Sequence, residues 1–112
     1  LPRQIGMARS MGAMLLGDRI SAREAAAWGM IYEVVADDGF ADRVRARAAQ
    51  LAAGPGVAYR GVKDLLRASF ANDLDGQLAL EARLQGACGQ TQDFREGVAA
   101  FIEKRPPRFS GS

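Results

Sequence analysis

DFREGVAAFIEKRPPRFSG, residues 93 to 111, is the densest stretch of the chain. Phe94, Val98, Phe101 and Ile102 fall at i, i+4, i+7 and i+8, the pattern of a helix with one buried face. Thr91 stands where an N-cap belongs. Asp93 sits in the first turn, near the positive end of the helix dipole. Pro106-Pro107 ends the helix. Phe101 and Phe109 flank the basic run Lys104, Arg105 and Arg108. Two readings are open here. The stretch is the capped end of a core helix, or it is a place where an anionic, partly apolar molecule docks.

Working outward, the remaining chain reads as a series of short helices. Gln4 to Leu16 carries Ile5, Ala8, Met11 and Leu15 at helical spacing, with Pro2 suited to the first turn and Gly17 to the exit. Ser21 with Glu24 three residues on is a capping box, so a helix starts at Ala22; Gly29 stops it after Trp28. Trp28 reads as a core anchor. Ile31 to Val35, IYEVV, is β-branched and aromatic and predicts a short strand or an extended segment. Asp37-Asp38-Gly39 offers turn chemistry and an N-cap. Helices follow over Phe40–Ala53, Val57–Phe70 and Leu74–Cys88, the last capped by Asn72 or Asp73. Arg43, Arg45 and Arg47 cannot share one face at about 100° per residue, so they read as a solvated surface. The sum is a mostly α chain. The single strand would have no partner within it, which leaves its hydrogen bonds to sequence elsewhere.

Composition removes several function classes. A chain of 112 residues favours one domain. The hydrophobic share of 48% and charged share of 25% are those of a globular protein. A net charge of +2 argues against nucleic acid, because no basic face with interleaved aromatics emerges. No apolar run reaches about 18 residues, so no membrane span is expected. Histidine is absent and Cys88 is the one cysteine, which leaves no ligand set for zinc and no His base. The lone cysteine fits a reducing compartment, and cytoplasmic localisation is the expectation. Cys88 itself reads as core. Ser10, Ser21, Ser69 and Ser110 lack a base, and the acidic pairs Asp37-Asp38 and Asp73/Asp75 look like helix caps. No catalytic residue is visible.

Taken in order, these segments resemble a known arrangement. LPRQIGMARSMGAMLLGDRISAREAAAWGMIYEVV, residues 1 to 35, resembles the stretch after the catalytic loop in the enoyl-CoA hydratase/isomerase (crotonase) superfamily. DFREGVAAFIEKRPPRFSG resembles that superfamily's C-terminal signature, an R-E-G helix closed by F-x-E-K-R and P-x-F. The segment from Leu74 and the Trp28-Gly29-Met30 piece look most like the phenylacetate-degradation branch, whose members isomerise ring-epoxide and enoyl-CoA thioesters. The resemblance implies that residues 1–112 are the helical C-terminal, trimer-forming region of a crotonase fold. The β-β-α spiral core, its oxyanion hole and its carboxylates would lie upstream of Leu1. No catalytic residue carries over, and Asp18 and Glu24 are not promoted to fill the gap.

What does carry over is the F-x-x-K of the last helix, Phe101 and Lys104, which the resemblance implies contact the nucleotide of coenzyme A. Residues three apart are neighbours on a helix, so an aromatic face and an ammonium would point the same way. The competing reading makes Phe101 part of the core stripe and Lys104 a plain surface charge. Arg105 and Arg108 read as surface, near enough to assist with a phosphate. The resemblance further implies an acyl-CoA as substrate, no cofactor and no metal, and homo-oligomers, trimers often paired into hexamers. It implies an inactive fragment of an acyl-CoA isomerase or hydratase that stabilises an enolate. The alternative is a free-standing helical oligomerisation or interaction module without chemistry.

Overall fold

The computed structural model describes all residues, Leu1–Ser112. The chain forms two compact units, Leu1–Val44 and Arg45–Ser112. Seven α-helices run through them: α1 (Pro2–Ile5), α2 (Met7–Leu16), α3 (Ala22–Ala27), α4 (Phe40–Ala52), α5 (Gly56–Ala68), α6 (Leu74–Gly89) and α7 (Gln92–Ile102). There is no strand.

In the first unit, Gly6 breaks the expected Gln4–Leu16 helix in two. Its backbone lies at φ 81°, ψ 162°, a region essentially closed to residues with a Cβ. The Gly6 oxygen starts α2 by accepting the Ser10 N–H at 3.2 Å, and the buried Ser10 hydroxyl donates to the same oxygen at 2.8 Å. Ser21 and Glu24 form the expected capping box: the Ser21 hydroxyl accepts from the Glu24 N–H, and the Glu24 carboxylate accepts from the Ser21 N–H at 3.0 Å. α3 then ends in a Schellman turn. Gly29 is left-handed at φ 77°, the Met30 N–H donates to the Ala25 oxygen at 2.8 Å and the Gly29 N–H to Ala26 at 3.0 Å.

Two expectations fail in this unit. Of the two forms expected for Ile31–Val35, the strand is not formed; the chain bends through Tyr32 and runs on without regular structure to Ala36. β-propensity describes fitness for a paired, half-buried surface, and no second strand exists to pair with. Trp28 is not a core anchor either. It is half-buried, with the Arg9 guanidinium stacked over its ring at 5.7 Å from the centroid. The acids at 37 and 38 form a 3-10 turn that leads into α4, and no side chain caps that turn.

In the second unit, α6 packs against both α5 and α7. The α5–α6 contact is close at the buried Gly61, where a Cβ would stand 3.8 Å from that of Leu84. Asp73, rather than Asn72, caps α6 by accepting from the Gly76 N–H at 2.8 Å. Thr91 caps α7 by accepting from the Phe94 N–H at 3.0 Å.

The apolar stripes are present, but the chain does not cover them. The buried apolar residues are Ile5, Ala25 and Ala100. Phe94, Val98, Phe101 and Ile102, expected as a buried face of α7, are 53%, 45%, 84% and 72% exposed. Helical periodicity identifies a face to be covered without saying what covers it.

Ser21→Ala removes a cap and leaves an N-terminal N–H of α3 without its partner. We expect a loss of about 0.5–2 kcal/mol in urea unfolding; an unchanged midpoint would mean that the first unit does not unfold with the measured transition.

Candidate functional site

The chemistry-bearing part of the chain is the end of α7 and the tail behind it. α7 closes in a second Schellman turn. The Arg105 N–H donates to the Ala100 oxygen at 3.0 Å and the Lys104 N–H to Phe101 at 3.3 Å. The left-handed residue is Lys104, at φ 53°, the one non-glycine with positive φ. That conformation costs a residue with a Cβ about 1–2 kcal/mol. The helix therefore ends at Ile102 through this turn, ahead of Pro106-Pro107. Lys104 lies beyond the helix, so the i, i+3 geometry assumed for Phe101 and Lys104 does not apply. The turn brings their backbones together instead.

The tail folds back along α7 and is fastened at two carboxylates. Glu96 receives Arg105 in a fork, Nη1 to Oε1 at 2.6 Å and Nη2 to Oε2 at 2.9 Å. It also accepts the Arg108 N–H at 2.7 Å. Arg105 Nε donates to Glu103 at 2.6 Å. Asp93, 4% exposed, accepts the Ser110 and Gly111 N–H groups at 2.7 and 3.0 Å. The Asp93 N–H, otherwise an orphan of the first helical turn, donates to the Ser112 oxygen at 3.1 Å. Between these ties, the Phe109 ring comes over Gly97, 3.7 Å from where a Cβ would stand.

The expected roles change accordingly. Asp93 holds the tail as well as facing the helix dipole. Arg105 is committed to Glu96 and Glu103, so its guanidinium is not a free phosphate ligand. Lys104 makes no ion pair. Phe101 is open to solvent, which removes its core reading within this chain. It lies on the rim of an apolar groove of about 360 Å³ that also takes in Val57, Cys88, Phe94, Val98 and Phe109. Cys88 is half-buried at that groove.

Electrostatics follows the same contacts. The Arg105 fork, then the Arg108 N–H, hold the Glu96 carboxyl down at about 2 from an ordinary 4.5. Arg105 is raised in turn by Glu96 and Glu103. In the first unit the Ser21 hydroxyl, then its N–H, lower Glu24. No group of three or more His, Cys, Asp or Glu side chains is placed to hold a metal ion. No helix is long and apolar enough to cross a membrane.

This helical array has counterparts among known proteins. The enoyl-CoA hydratase/isomerase family matches residues 1–112. A probable enoyl-CoA hydratase of Rhodobacter capsulatus is 58% identical over 111 residues, covering 99% of this chain and 43% of that protein. The 1,2-epoxyphenylacetyl-CoA isomerase of Escherichia coli is 44% identical over 111 residues, covering 99% of this chain and 42% of that protein. The crystal structure of an enoyl-CoA hydratase from Bacillus anthracis superposes with a TM-score of 0.88 at 32% identity, over 99% of this chain and 43% of that one. The chain belongs to the enoyl-CoA hydratase/isomerase family, and its fold is that of the helical C-terminal region of a crotonase. It spans less than half the length of these relatives.

Two predictions test the strap. Asp93→Ala strips the tail of its buried acceptor, and a hydrogen bond to a charged group is worth about 1.5–3 kcal/mol. We expect trypsin to cut after Arg108 faster in this variant; unchanged cleavage would mean that the tail is held elsewhere. Glu96→Gln lowers the unfolding midpoint at neutral pH. Because folding holds this carboxyl below its unfolded value, its contribution is complete above about pH 4.5 and is lost as pH falls toward 2. The gap between wild type and Glu96→Gln therefore closes over that range. A constant gap would show that ionisation of Glu96 is not what matters.

Proposed function

We propose that residues 1–112 are the helical region of an acyl-CoA isomerase or hydratase that stabilises an enolate of a CoA thioester, and that the end of α7 docks the nucleotide of coenzyme A. The carrying observation is Phe101, 84% exposed on the rim of an apolar groove, linked by one turn to the unpaired Lys104. An aromatic face suits adenine, and an ammonium suits a phosphate. The carboxylates that would attract a catalytic reading are already engaged, Glu24 in a cap and Asp93 and Glu96 with the tail. In this reading the chain supplies no catalytic group, the thioester is substrate, and no cofactor is required. The relative at 44% identity supports a phenylacetate-derived thioester as the substrate class.

The free-standing oligomerisation module is the second reading, and one observation favours association in either case. Met14, Leu15, Leu16, Tyr32, Leu74 and Ile102 are each more than 70% exposed, more apolar surface than an isolated soluble domain usually presents. We expect this chain alone to scatter light with a mass well above its 12.0 kDa; a clean monomer at high concentration overturns the association reading.

The docking reading is tested in the full-length enzyme by titrating coenzyme A, with pantetheine as the control that lacks the nucleotide. Losing a stacking ring costs ~1–3 kcal/mol, so Phe101→Ala should weaken CoA by about 5- to 150-fold. Lys104→Ala should weaken it by no more than about fivefold, the more so at low salt. Neither variant should alter pantetheine. Unchanged CoA affinity in both variants would refute the site.

A further inference from the structure

We infer that Glu96 is a positioning residue for the docking end of α7, acting through Arg105 to hold Lys104 in its left-handed turn beside Phe101. This rests on the reading of Phe101 and Lys104 as the nucleotide contact and adds to it the group that orients the lysine.

The geometry brackets Lys104 from both sides. Its two neighbours, Glu103 and Arg105, are joined over it by a side-chain bond of 2.6 Å. Arg105 is then tied to Glu96, two helical turns back, by both ends of its guanidinium fork. The same carboxylate accepts the Arg108 N–H, so the chain on the far side of Pro106-Pro107 is fixed as well. A left-handed residue with a Cβ persists where its surroundings over-determine it. Glycine is the usual choice for this position, yet here the chain places a lysine whose ammonium has no partner. The backbone preference runs against this arrangement, and the Glu96 clamp counters that preference. With the clamp present, the Lys104 stem starts from a fixed point relative to the Phe101 ring. Without it, the turn is free to relax, and the ammonium loses its set distance from the ring. Arg105, which charge alone would nominate as a phosphate ligand, serves here as the connecting strut.

The polar partners of Glu96 are Arg105 and the Arg108 N–H, so its effect on the nucleotide passes through Lys104. The test is a double-mutant cycle in the full-length enzyme, with adenosine 3′,5′-bisphosphate and coenzyme A as probes and pantetheine as control. Glu96→Gln is expected to weaken both nucleotide probes as much as Lys104→Ala does, about two- to fivefold, with pantetheine unchanged. Combined with Lys104→Ala it should add nothing further, because the lysine it positions is gone. Arg105→Lys keeps the charge but loses the fork, and it should reproduce the loss and the non-additivity if Glu96→Gln fails to fold. Additive losses would overturn the inference, since Glu96 would then act by another route. So would a Glu96→Gln enzyme with wild-type nucleotide affinity beside a weakened Lys104→Ala, an outcome that leaves the docking reading standing. No effect of Lys104→Ala would overturn the inference, because no lysine contact would remain to be positioned, while the docking reading would then stand or fall with Phe101→Ala.

Discussion

The fork between Glu96 and Arg105 is the contact on which the C-terminal end of this chain depends. Two parallel charge-assisted bonds fix a planar guanidinium in orientation as well as distance. That fixes the chain just after the Schellman turn, and so the direction in which the tail leaves α7. The second tie, at Asp93, works on backbone N–H groups. It settles the last residues of the tail against the start of the helix they follow. Between the ties, Phe109 is laid over Gly97, and the apolar groove below Phe101 gains one of its walls. The stretch that resembles a family signature is thus largely a fastening. Its glutamate and arginine act on each other, and the lysine between them is left free.

A second constraint is the shortage of cover. α5 and α7 carry well-formed apolar faces, while the apolar residues of α6 are spread around it, and these helices bury little that is apolar besides Gly61 and Ala100. Hydrophobic stabilisation scales with apolar area removed from water, so side chains left this open contribute little within the chain. The helices therefore owe more to local devices than is usual: the Ser21–Glu24 box, the Asp73 and Thr91 caps, and two Schellman turns. The family relationship offers a physical context, because this chain spans less than half the length of its relatives.

How legible each feature was depended on the range of the interaction behind it. Caps act over three residues, and Ser21 and Thr91 could be placed from spacing alone, while at α6 spacing left Asn72 and Asp73 both open. Gly17 and Gly29 marked helix exits because glycine tolerates the left-handed backbone. The end of α7 was missed by a few residues because Lys104, where glycine would be expected, gives no such signal. Gly6 was hidden for a similar reason. A glycine inside an apolar-periodic run reads as part of the helix, and only its φ of 81° shows the break. IYEVV failed as a strand because pairing is a property of two segments.

The sequence by itself determined the helical class, most element positions, the stop codes and the family, all carried by local periodicity and by residues in fixed short order. Tertiary structure decided what the charges do. The side chains of Asp93, Glu96 and Arg105 find partners up to 18 residues away, and no local rule ranks one partner over another. Folding the tail back made that choice. It committed Arg105 to a clamp and Asp93 to a buried anchor, and it left Phe101 and Lys104 exposed, because a charge already matched at hydrogen-bond distance is no longer available to another partner.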